Sequence, residues 1–102
     1  MAKKAKFDGP GGTSYTQIAK TSRGRLGVAR LNSNEVRVRI EPSSDEAAKK
    51  MSGNLKDWKQ PEGKNRRFST IVNGKEVEKT VKLGKKLIGS DTSMTAKAAL
   101  AG

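Results

Sequence analysis

The chain has 102 residues, 22 of them Lys or Arg against 10 Asp or Glu, for a net charge of +12; that length allows one domain, and such a charge excess is used in proteins chiefly to attract polyanions. It contains no Cys and no His, which excludes disulfides, thiol chemistry, the usual zinc sites, a histidine general base and any histidine-dependent triad. Phosphate-loop and dinucleotide-binding patterns are also missing, so the expectation is a protein that is not an enzyme and needs no cofactor.

Residues 1–12 mix Lys3, Lys4 and Lys6 with a Gly-Pro-Gly-Gly cluster and read as a flexible basic arm, able to trail along phosphates or simply to solubilise the chain. The opening MAKKAKFDG has basic residues but no apolar run behind them, unlike a secretory signal. From Thr13 to Lys20 the residues suit a strand, with Tyr15, Gln17 and Ala19 on one face and Thr16 and Ile18 on the other. Thr21 to Gly24 then reads as a turn carrying Arg23.

Gly24 to Ile40 has the clearest alternation in the chain. Val36, Val38 and Ile40 share one parity and Arg37 and Arg39 the other, so a strand here is aliphatic on one face and cationic on the other. A loop of three residues, Asn32-Ser33-Asn34, closes it on Leu26–Arg30 with Val28 opposite Val38, Leu26 opposite Ile40, Ala29 opposite Arg37 and Gly27 opposite Arg39. Loops of even length would mix the apolar and basic sets. The outer face is then expected to present two arginines over Gly27 and Ala29, an open seat for a polyanion.

Pro42 ends this sheet segment, and Ser43-Ser44-Asp45-Glu46 matches a capping box with Ser43 as the cap. The helix that follows carries Ala47, Met51, Leu55 and Trp58 as one apolar stripe, with Gly53 as a weak point costing about 1 kcal/mol. Trp58, at the end of that stripe, is expected to pack against the sheet; stacking on a base is its functional alternative. Pro61 and Gly63 stop the helix, and Gly63 to Arg67 forms a basic turn.

Asn73-Gly74 between two β-rich runs predicts a second hairpin with a type I′ turn. Phe68, Thr70, Val72, Val77, Val81 and Leu83 would share its inner face, with Lys75 and Lys79 as exceptions, while Ile71 pairs with Glu76, Ser69 with Glu78 and Arg67 with Thr80 outside. The remaining residues, 84–102, read as a tail that is disordered or forms a short helix on a partner, with Ser90 or Asp91 as cap.

The expected fold class is α+β: a small antiparallel sheet of two β-hairpins with one covering helix, spanning residues 13–83, between the arm and the tail. The functional expectation is binding of the phosphate backbone of a nucleic acid, single-stranded DNA or RNA before duplex. Arg37 and Arg39 would lead, helped by Arg23, Arg25, Arg30, Lys64, Arg66 and Arg67 and by Lys82, Lys85 and Lys86, with Tyr15, Phe68 or Trp58 stacking on bases. Two other readings share the charge: a structural component of a nucleoprotein assembly such as a virion or ribosome-like particle, and a regulator that docks on an acidic protein surface. With 32% hydrophobic residues the core is small, and a homodimer partner would help it. No apolar run approaches the roughly 20 residues that span a bilayer, so a membrane is not an expected partner and a cytoplasmic or virion-associated location is.

Overall fold

A computed structural model of the chain describes residues 5–59 and 67–101. Its strands are β1 (Lys6–Asp8), β2 (Ser14–Thr21), β3 (Gly24–Arg30), β4 (Glu35–Pro42) and β5 (Phe68–Asn73), and they form one antiparallel five-stranded sheet in sequence order. Among the described residues three α-helices, α1 (Asp45–Ser52), α2 (Val77–Ile88) and α3 (Ala96–Leu100), and a short 3-10 turn at Pro10–Gly12 complete a small α+β fold.

The β3–β4 register is the one that alternation and loop length predict. Leu26 faces Ile40, Gly27 faces Arg39, Val28 faces Val38 and Ala29 faces Arg37, and Leu31 N–H donates to the Glu35 carbonyl at 3.0 Å to close the three-residue loop. In β2 a bulge between Gln17 and Ala19 shifts the register. Ala19 therefore pairs with Leu26 and joins Ile18 in the core, instead of sharing a face with Tyr15 and Gln17.

One sheet face and the helices enclose the main core. Leu26, Val28, Val36, Val38, Ile40 and Phe68 meet Ala48, Met51, Val77, Val81, Ile88, Ala96 and Ala99, each large aliphatic group contributing about 1.5–3 kcal/mol by leaving water. Helix α1 begins one residue later than the capping box suggests: Ser44 Oγ accepts from Ala47 N–H at 3.1 Å. Ser43 is used elsewhere. The helix ends at Ser52, before Gly53 and Asn54, yet Leu55 is buried and Trp58 packs part-buried against the core, so the apolar stripe outlasts the helix that it was read on.

The second hairpin does not form. Gly74 is not among the glycines with positive φ, which a type I′ turn requires. Asn73 instead turns its side chain on the backbone that follows, Oδ1 accepting from Lys75 and Glu76 N–H at 2.9 and 3.0 Å, which fixes the turn leading into α2; the helix's own N-cap, Glu76, makes no side-chain cap bond. In α2 the buried positions are Val77, Val81, Gly84 and Ile88, a helical spacing. Gly84 lets the helix lie close on the sheet, since a Cβ there would stand 2.7 Å from Leu26 Cδ1. Gly89, left-handed at φ 73, ends α2; its N–H and that of Ser90 donate to the Lys86 and Lys85 carbonyls at 3.2 and 2.8 Å, a Schellman arrangement.

Both ends of the chain contribute structure. Lys6–Asp8, inside the segment read as an arm, pair with β2 through Lys6–Thr16, Phe7–Tyr15 and Asp8–Ser14. The segment read as a tail, 84–102, holds the last turn of α2, from Gly84 to Ile88, and all of α3, whose Ala96 and Ala99 are buried. Glu78, assigned above to the outer face of a hairpin, accepts from the Ala96 and Lys97 N–H groups at 2.9 and 3.0 Å and so helps Thr95 cap α3.

Candidate nucleic-acid interface

The arginine face of β3–β4 is not open. Arg39 is 0% exposed and Glu41 6%, and Arg39 Nε donates to Glu41 Oε2 at 2.7 Å. Arg25 comes from the neighbouring strand to the other carboxylate oxygen, its Nε donating to Glu41 Oε1 at 2.6 Å. Above them the Phe7 and Tyr15 rings stack with centroids 5.5 Å apart. The Arg25 guanidinium lies 4.1 Å over the Phe7 ring and that of Arg39 5.8 Å from the Tyr15 ring, within cation–π range.

Gly27 explains how the cover fits. A Cβ at that position would stand 2.6 Å from two atoms of the Phe7 ring, so the gap in bulk between the arginines is filled by an aromatic side chain from β1. Ala29 is buried in the same cluster as Phe7 and Tyr15. The open polyanion seat over Gly27 and Ala29 is thereby corrected: Arg39 and Arg25 hold a carboxylate and two rings, Arg39 being buried, while Arg25, though engaged by Glu41, and Arg37 are half-buried. Tyr15 and Phe68, each 1% exposed, have no ring surface for a base. Trp58 is part-buried against the main core, the packing role that its place in the stripe predicts. Arg30 is exposed at the far end of β3, and Lys64 and Arg66 lie outside the described residues.

The other predicted basic residues converge at one end of the sheet, where the β2–β3 turn, the start of α1 and the end of α2 meet. Hydrogen bonds tie the three together. The Thr21 hydroxyl donates to the Ile88 carbonyl at 2.5 Å, Ser43 N–H donates to the Arg23 carbonyl at 2.9 Å, and the Ser43 hydroxyl donates to the Ser22 carbonyl at 2.6 Å. Arg23 lies along the end of α2, with Nη1 3.2 Å from where a Cβ on Gly89 would be.

Between these elements is a cleft of about 460 Å³ with Arg23, Lys50 and Lys86 on its lining. Lys86 also borders a shallower recess on the outer side of α2, shared with Lys82 and Lys85, the three lysines lying at helical i, i+3 and i+4 positions. Around the sheet end, on the arginine face, a notch of about 290 Å³ is lined by Lys20, Arg25 and Arg67 beside Glu41 and shares Ser43 with the cleft. Of the nearby acids, Glu41 serves Arg25 and Arg39 and Glu78, on the border of the outer recess, caps α3; Glu46 lies on the cleft, with Asp45 beside it in the first turn of α1. Lys20 and Lys50 are additions that the strand and helix patterns did not single out. Lys85 and Lys86 have a structural use as well, because cations in the last turn stabilise a helix.

No protein-family model, no curated protein and no solved structure matches this chain. Its chemistry therefore rests on the geometry alone. Among the described residues no group of three or more Asp or Glu is placed to hold a metal ion, and no helix is long and apolar enough to cross a membrane.

Proposed function

We propose that this chain is a non-enzymatic nucleic-acid-binding protein whose cationic sheet end, not the face of its first hairpin, takes the phosphate backbone. The observation that carries the reading is the convergence of Arg23, Lys50, Lys82, Lys85 and Lys86 on two adjoining recesses that share Lys86, on elements joined by the hydrogen bonds of Thr21 and Ser43. Cations held at a common surface neutralise successive phosphates and release their counterions, and the entropy of that release drives binding. Arg23 adds a planar fork of donors that lysine lacks.

The opposite end of the sheet supplies the contrast. There the Asn32–Asn34 loop and the start of α2 carry Glu35 and Glu76 beside Arg30 and Lys75, and Glu35 is held by the Asn32 amide at 2.8 Å. The test is a salt titration of binding to single-stranded DNA, duplex DNA and RNA. For a single strand, the Arg23→Gln, Lys86→Gln double variant should lower the slope of log affinity against log salt by about 1.4, the equivalent of two phosphate contacts. Arg30→Gln with Lys75→Gln should leave it unchanged. Absence of salt-dependent binding to all three polymers overturns the proposal.

A further inference from the structure

The cleft has two chemical halves. Its exposed lining, the rim, carries Arg23 from the β2–β3 turn, Lys50 from α1 and Lys86 from α2 against the single acid Glu46, together with Ser22, Ser43 and Ser44. Its apolar lining, the floor, is Ala47 and Met51 from α1 and Leu87 from α2. Met51 is buried and Ala47 and Leu87 are part-buried against the main core, so the floor is backed by packed protein. A surface that needed only to meet a phosphate ribbon has no use for a recessed apolar floor. The volume of about 460 Å³ falls within the roughly 300–1,000 Å³ of small-ligand pockets.

From this we infer that the cleft holds one unpaired nucleotide of a bound strand, its base against the part-exposed Ala47 and Leu87, which Met51 backs from the core, and its phosphate among Arg23, Lys50 and Lys86. The inference rests on the nucleic-acid reading above and narrows it to strands with unpaired positions. In a duplex the base is stacked and paired inside the helix, so only its phosphate could reach the rim; an unstacked base can turn into a recess and lose water from its face. The strand then gains an apolar contact that duplex does not. Glu46, also on the lining, is an acceptor for the amino group of a base. Because the hydrogen bonds of Thr21 and Ser43 hold the walls together, the recess is largely formed before a ligand arrives, which lowers the ordering cost of binding.

A short single-stranded oligodeoxynucleotide and its blunt duplex, titrated at equal salt, provide the test. The strand should bind about tenfold more tightly, the ratio expected from burying roughly 50–60 Å² of apolar surface against the aliphatic floor at about 25 cal/mol per Å². Ala47→Phe, which fills the floor and keeps every rim charge, should bring the ratio of the two affinities toward one. Leu87→Ser, which leaves the cleft open with a polar floor, should do the same if the larger side chain prevents folding as judged by circular dichroism. In amide NMR spectra, adenosine monophosphate should shift Met51 and Leu87, whereas inorganic phosphate should shift only residues at the rim; the nucleotide and the strand arms thus separate a free nucleotide site from one that needs the polymer. Salt-dependent binding with equal affinity for strand and duplex, insensitive to both variants, overturns the nucleotide site and leaves the cationic interface standing. Failure of all binding overturns both.

Discussion

Both faces of the β3–β4 hairpin are covered around Gly27 and Arg39, but by different means. On one, Val28, Val36, Val38 and Ile40 lie under helices that follow them in the chain, and the contact is apolar, largely aliphatic but for Phe68 and Trp58. On the other, Arg39 and Glu41 lie under Phe7 and Tyr15, from strands that precede them, and the contact joins an ion pair to stacked rings. The first face is stable wherever apolar groups of the right size meet it. The second depends on matched partners, because a buried charge without its counter-charge is far costlier than a misfitting methyl group. Alternation in a strand therefore separates two faces without saying that the polar one meets water.

The largest effect that separates the faces is expected at Glu41. Glu41→Gln removes the carboxylate that the buried Arg39 and its neighbour Arg25 share, and should cost about 3 kcal/mol in urea unfolding. Val38→Ala, directly across the sheet in the aliphatic core, should cost somewhat less, about 2 kcal/mol. A loss under about 1 kcal/mol at Glu41 would mean that the arginine face contributes little to the fold. Gly27→Val comes next: its Cβ would meet the Phe7 ring at 2.6 Å, and displacing that ring should cost about 1–3 kcal/mol. A shift of the Arg25 and Tyr15 resonances should accompany it. Unchanged spectra would show that Phe7 does not rest on Gly27.

Much of the first face was legible in the chain, and the reasons are specific. The period-two pattern from Val36 to Ile40 and an odd-length loop leave one register that keeps the valines together. Glu41 has the same parity as Arg39 and sits two residues on, so a carboxylate beside the arginines was in the pattern. What covers them was not, since β1 is three residues long and Phe7 follows lysines with no periodicity of its own. Residues 77–83 satisfy both strand and helix periods, and Asn73-Gly74 biases the choice toward a hairpin. Carrying the pattern on to Gly84 and Ile88 decides for a helix. The core membership of Phe68, Val72, Val77, Val81 and Leu83 is the same under either reading, because burial follows residue type more closely than element type. The cleft is assembled from the β2–β3 turn, α1 and the end of α2, and no spacing within one segment reveals such a meeting.

Arg37 gives the smallest effect and the finest distinction. It stands two residues before Arg39 on the same face, opposite Ala29 and Ile71, yet it is half-exposed and Ile71 is 44% exposed. The cover formed by Phe7 and Tyr15 is centred on Gly27, and the hairpin face opens beyond it toward the Asn32–Asn34 loop. Arg37→Gln should therefore change stability by no more than about 0.5 kcal/mol, the ordinary range for a surface position, while Arg39→Gln should destabilise strongly by leaving Glu41 with Arg25 alone. On a single-stranded oligonucleotide Arg37→Gln should also leave the salt slope at its original value, unlike Arg23→Gln with Lys86→Gln. If Arg37→Gln lowers that slope by about 0.7, one phosphate contact on a single strand, then the strand runs along the hairpin face as well as across the sheet end, and the cationic surface is longer than the two recesses at α2.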